Sequence, residues 1–254
     1  GADLETDWYA GEMPVERKLG KMGKSRMNSV DPLEIIALHG WGRTGADFSR
    51  VLAGTNALAL HLPGFGSAPP PPEPWSTSEY ADHLARALEG HPPVVLVGHS
   101  FGGRVALRLA ARHPACVKEL VLTGVPFLAR SGGAKPHLAF RLGKRARKLG
   151  LISEARMEGL RNSYGSTDYR AAQGVMRGVL VKAIGEDYFV DAAIVRAPVT
   201  LVWGENDGPA PLLGAQKSLE YFPQATLRVV PGAGHLLEGN LEEALAQALR
   251  DLAD

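Results

Sequence analysis

Cysteine is almost absent: Cys116 is the one thiol in 254 residues. A lone thiol excludes an internal disulfide framework and a cysteine-rich metal site. Excess charge is also lacking. Lysine and arginine number 28 against 27 acids, for a net charge of +1. That balance excludes a partner recruited by bulk charge, so neither nucleic acid nor a membrane surface is expected. No apolar run is long enough to span a bilayer, and no signal-peptide core is legible near the first residues. These absences make a cytoplasmic location the expectation. The hydrophobic fraction, 45%, is ordinary for a globular chain and supports a sizeable core. The length suits one α/β domain with an insertion, or at most two small domains.

The most informative stretch runs from Pro92 to Ala110. Val94 to Val97 is a short apolar run rich in β-branched residues, the pattern of a strand buried on both faces. From Arg104 to Arg112 the period changes. Val105 and Leu109 can pack inward, while Arg104, Arg108 and Arg112 recur every four residues on another face, as in a helix. Between strand and helix lies Gly98-His99-Ser100-Phe101-Gly102. A serine at so sharp a turn is held in strained backbone, its hydroxyl exposed above the sheet edge. Small residues two before and two after it let the chain turn without a clash.

In this setting Gly98 to Gly102 resembles the nucleophile elbow of the α/β-hydrolase family. The resemblance implies a mostly parallel central sheet flanked by helices, with a helical cap insertion. Other stretches fit it in order. Leu33 to Leu38 reads as a buried strand, ending in His39-Gly40-Trp41-Gly42. In the family the loop after this strand gives one backbone N–H of an oxyanion hole, and the residue after the nucleophile gives the other. Carried over, the donors are the amides of Trp41 and Phe101, with His39 structural. Asp47 to Leu52 reads as a short helix and Ala57 to Leu60 as a strand. His61-Leu62-Pro63-Gly64-Phe65-Gly66 resembles a family turn in which aspartate usually stands at the place of His61. Pro69 to Pro74 reads as a rigid extended loop. Ser76 or Ser78 can cap a helix from about Glu79 to Leu88.

Glu119 to Thr123 reads as a strand. Pro198 to Trp203 reads as another, ending Gly204-Glu205-Asn206-Asp207, which resembles the family's acid loop. Asp207 is the expected acid and Glu205 its rival. Thr226 to Val230 is the last strand. Pro231-Gly232-Ala233-Gly234-His235 follows and matches the loop of the family's catalytic histidine. Asn240 with Glu243 resembles a capping box for a closing helix.

The resemblance covers roughly 33–125 and 197–254, so the expected core is 1–125 with 197–254. Residues 1–32 read as two weak edge strands or a flexible arm. The expected cap is 126–196, which lacks a convincing buried strand and reads as helical pieces. Between Arg130 and Lys182 it is basic, its only acids being Glu154, Glu158 and Asp168. That charge admits an anionic substrate or, as the plainer alternative, a solvated surface. Tyr164, Tyr169 and Met176 read as cap core, and His99 as a packing residue.

The expected reaction is acyl transfer by Ser100, with His235 as base and Asp207 orienting it, needing no metal and no organic cofactor. A carboxylesterase acting on a small-molecule acyl ester is the leading expectation. Thioesterase, lactonase and carbon–carbon hydrolase share the same triad. A ligand receptor on the same fold is the alternative of another class.

Overall fold

The computed structural model describes residues 34–127, 167–252 and the isolated positions 147, 150, 151, 153 and 156. The possible edge strands of 1–32 and most of the basic stretch, with Tyr164, lie outside the described residues. Among the described residues six strands form one parallel sheet: β1 (Ile35–Leu38), β2 (Ala57–Leu60), β3 (Val94–His99), β4 (Val117–Thr123), β5 (Val199–Gly204) and β6 (Ala225–Val230). Their order is β2-β1-β3-β4-β5-β6. Every residue of β1 and β3 is buried, which is why both read as unbroken apolar runs. In β6 half-buried and exposed positions alternate from Ala225 to Arg228 and only Val230 is buried, as suits an edge strand.

Successive side chains of a strand point to opposite faces, so the sheet feeds two cores. Leu38, Leu96, Leu120, Leu122 and Trp203 belong to one. That face is covered by α1 (Thr77–Ala87) and α2 (Phe101–Arg112). Ala37, Val95, Val97, Val121 and Val202 belong to the other, with Leu241, Leu245 and Leu249 of the closing helix. Ser76 is the residue that caps α1, in a reciprocal box with Glu79.

Two local expectations are corrected. Asp47 to Leu52 is not a helix. A 3-10 turn spans Gly45–Phe48, capped by the Thr44 hydroxyl, which accepts from the Ala46 amide. Phe48 and Val51 are buried there, too few apolar anchors to propagate a helix. Asn240 does not cap the last helix. That helix begins at Gly239, with Glu238 at the N-cap position and no side-chain cap. The chain takes its tight turn at Gly239, whose φ of +52° suits glycine, and so starts the helix before Asn240.

Three helices follow β4 among the described residues: α3 (Thr167–Ala171), α4 (Gly174–Gly185) and α5 (Phe189–Ile194). Then come α6 (Leu212–Ser218) and α7 (Gly239–Arg250). A buried ionic cluster ties α4 and α5 to α1 and α2. Arg108 of α2 pairs with Asp191 of α5 and donates to the Asp187 carbonyl at 3.1 Å. Glu186 accepts from the Thr77 amide at 3.1 Å and from the Tyr188 hydroxyl at 2.8 Å. Arg108 also lies over the Tyr188 ring, 5.0 Å from its centroid. Of the arginines on this face of α2, Arg108 contacts α5, Arg104 donates to the Ala183 carbonyl of α4 and Arg112 pairs with Asp82 of α1. Among the described residues no helix is long and apolar enough to cross a membrane.

Candidate active site

β3 is central in the sheet, and Ser100 follows its last residue directly. Its φ of 51° and ψ of −110° make it the one described non-glycine residue at positive φ. Such backbone strain persists only where the surroundings hold it. Here the Ser100 amide donates to the Thr123 carbonyl at 2.9 Å, and the Gly102 amide to the His39 carbonyl at 3.0 Å. A side chain at 102 would put its Cβ 2.2 Å from the Leu38 carbonyl oxygen, so that position admits glycine alone.

The β5 and β6 loops bring the partners. Asp207 is buried, and its Oδ1 accepts from the Ala210 amide at 2.7 Å. His235 Nδ1 donates to Asp207, with Oδ1 at 2.9 Å and Oδ2 at 2.8 Å. That leaves Nε2 as an acceptor, 3.2 Å from Ser100 Oγ. The serine proton therefore faces a lone pair whose tautomer a buried carboxylate holds. Glu205, the rival acid, is spent elsewhere: it accepts from the Gly232 amide at 3.0 Å and braces the histidine loop.

The remaining histidines separate cleanly. His39 is fully buried; its Nδ1 donates to the Gly40 carbonyl at 2.8 Å and its Nε2 accepts from the Leu62 amide at 3.0 Å. Burial, chiefly, lowers its pKa from 6.5 to about 4. It is a structural link between two loops. His99 Nε2 donates to the His235 carbonyl at 2.8 Å, and burial again lowers its pKa to about 4. Its Nδ1 is buried without a partner among the described residues. His61, at the place where the family turn usually has aspartate, accepts from the Ser67 amide at 3.3 Å.

Ser100, His235, Trp41 and Phe101 line one cavity of about 600 Å³. The Trp41 and Phe101 rings meet edge to face, 5.3 Å between centroids. The Phe101 amide lies in the first turn of α2, where no intrahelical acceptor exists. Leu180, Ala183, Ile184 and Glu186 bring α4 and its end to the same cavity. Arg43 and Arg104 also line it, and sequence reasoning missed both. Arg104 had a signal, since it stands four residues after Ser100 on one helix. Of the basic residues between 130 and 182, those described (Arg147, Arg156, Arg170, Arg177 and Lys182) are not among the lining. Met176 is half-buried and packs against the core, and it is not among the residues lining the cavity. Among the described residues no cluster of histidine, cysteine or acids could hold a metal.

A serine after a central parallel strand, facing a histidine held by a buried carboxylate, defines a class of α/β hydrolases. Comparison with known proteins agrees. The profile of the Alpha/beta hydrolase family matches residues 35–248, and the chain belongs to that family. A pimeloyl-[acyl-carrier protein] methyl ester esterase of Chromobacterium violaceum is 28% identical over 241 residues, covering 86% of this chain and 93% of that one. Lipase LipV of Mycobacterium tuberculosis is 37% identical over 108 residues, 38% of this chain and 39% of the lipase. Among solved structures, a thermophilic esterase from Thermogutta terrifontis superposes with a TM-score of 0.62 at 21% identity, covering 87% of this chain and 89% of the esterase. The protein is an esterase-like α/β hydrolase.

Proposed function

We propose that the protein is a serine carboxylesterase that works through an acyl-enzyme on Ser100. The observation that carries this reading is the hydrogen-bonded run from Ser100 Oγ to His235 Nε2 at 3.2 Å and from His235 Nδ1 to Asp207 at 2.8 Å. His235 takes the serine proton as Oγ attacks the ester carbonyl. Asp207 holds the ring in the required tautomer and stabilises its charged form. The amides of Trp41 and Phe101 receive the oxyanion; each such donor is worth about 3 kcal/mol in comparable sites. His235 then protonates the departing alcohol. Water, deprotonated by the same nitrogen, releases the acid.

Residues 126–196 act in this reading as a cap that shapes the acyl pocket and keeps water out. A cavity of about 600 Å³ suits a small or medium acyl ester. The similarity to a methyl ester esterase supports an ester with a small alcohol as leaving group.

Hydrolysis of p-nitrophenyl acetate, butyrate and octanoate by the wild type and Ser100→Ala tests the reading. The wild type should turn over at least one ester. Ser100→Ala should lose about three or more orders of magnitude in kcat. Equal rates for the two proteins would overturn it.

A further inference from the structure

We propose that Arg104 receives a carboxylate carried by the substrate, so that the preferred substrates are half-esters of dicarboxylic acids. The inference rests on the ester-hydrolase reading and names the substrate class of the same site. The Arg104 amide donates to the Ser100 carbonyl at 3.1 Å, so its side chain leaves α2 one turn beyond the nucleophile. It lines the cavity that holds Ser100 and His235. Its guanidinium is oriented without being neutralised. Nη1 donates to the Ala183 carbonyl of α4 at 2.5 Å, and the group lies 5.5 Å from the Tyr188 ring centroid. Nε is buried and has no partner among the described residues.

The neighbouring arginines are different. Arg43 is held in a fork by Asp47, at 2.7 and 2.8 Å. Arg108 pairs with Asp191, and Arg112 with Asp82. No carboxylate of the described residues lies at ion-pairing distance from Arg104. Glu186 lines the same cavity, but Thr77 and Tyr188 occupy its oxygens. Asp168 lines it as well and does not pair with Arg104. A guanidinium keeps its charge at any working pH, and its planar fork matches a carboxylate. Left half-buried and unpaired it is costly, and an arriving carboxylate removes that cost. The ester carbonyl then sits at Ser100 and the acid end lies one helical turn away.

The test compares kcat/KM for monomethyl adipate with that for methyl hexanoate, in which a methyl group replaces the free carboxylate. Wild type, Arg104→Lys and Arg104→Gln are measured, and the ratio is taken within each protein so that a general loss of active enzyme cancels. The wild type should favour the half-ester. Arg104→Gln should lower the ratio about tenfold or more, through KM, and Arg104→Lys should keep part of it. A wild type that favours the neutral ester, or a ratio unmoved in both variants, overturns the proposal. If Arg104→Gln does not fold, Arg104→Lys decides, together with the wild-type ratio, which should fall as salt is raised. If neither ester is hydrolysed, the p-nitrophenyl esters decide the esterase reading separately, and calorimetric binding decides Arg104. Monomethyl adipate should then bind the wild type more tightly than Arg104→Lys, and equal affinities would overturn the proposal.

Discussion

His99 and His39 flank Ser100 as neutral rings, and burial is the reason. Both rings are buried, and both have pKa values lowered from 6.5 to about 4, desolvation being the first cause. Between those two values the unfolded chain binds protons that the folded chain refuses. Their contribution to stability is therefore complete above pH 6.5 and is lost as pH falls toward 4. At pH 5 each ring costs about 2 kcal/mol. Urea unfolding should give a clearly lower midpoint at pH 5 than at pH 7. Equal midpoints would mean that the two rings are not held neutral. Arg104 belongs to the same scale. Its place in the sequence was legible, but its lack of a carboxylate partner was not, because that depends on which acids the fold brings near.

Between single residues and the whole chain stand the loops at the carboxyl ends of β3, β5 and β6. The β5 and β6 loops clasp each other closely: a Cβ at Gly204 would lie 2.3 Å from the Gly234 carbonyl oxygen and 2.6 Å from that of Ala233. The Asn206 amide donates to the Ala233 carbonyl at 2.9 Å, so acid loop and histidine loop move as one. Gly204→Ala should therefore lose about 2 kcal/mol of stability and lower kcat, by shifting Asp207 against His235. At Gly208 an added Cβ meets nothing within 4 Å, so Gly208→Ala should match the wild type in both. Similar melting temperatures and kcat for the two variants would contradict the clasp. The strands were legible because full burial writes continuous apolar runs, as in β1 and β3. The first turns of short elements were not. Gly239 rather than Asn240 opens α7, a choice made by backbone geometry at a glycine. The turn at Gly45–Phe48 carries a helix-like spacing but not a helix's length.

At the scale of the molecule, one parallel sheet gathers residues from three distant parts of the chain above its carboxyl edge. That convergence was legible, because each of Ser100, Asp207 and His235 follows a strand within its own short motif. The placement of the helices after β4 was less so. Helices α4 and α5 are fixed to the core by Arg108, Glu186, Asp191 and Tyr188, which the sequence scatters among ordinary surface charges. The arginines that line the cavity, Arg43 and Arg104, likewise come from outside the basic stretch. The proposed chemistry stands on Ser100 as a nucleophile activated by His235. Its most direct test is labelling with a fluorophosphonate, followed by peptide mapping in a mass spectrometer. One adduct is expected, on the peptide that holds Ser100, and none in Ser100→Ala. An unlabelled wild type, or an adduct on another residue, would contradict it.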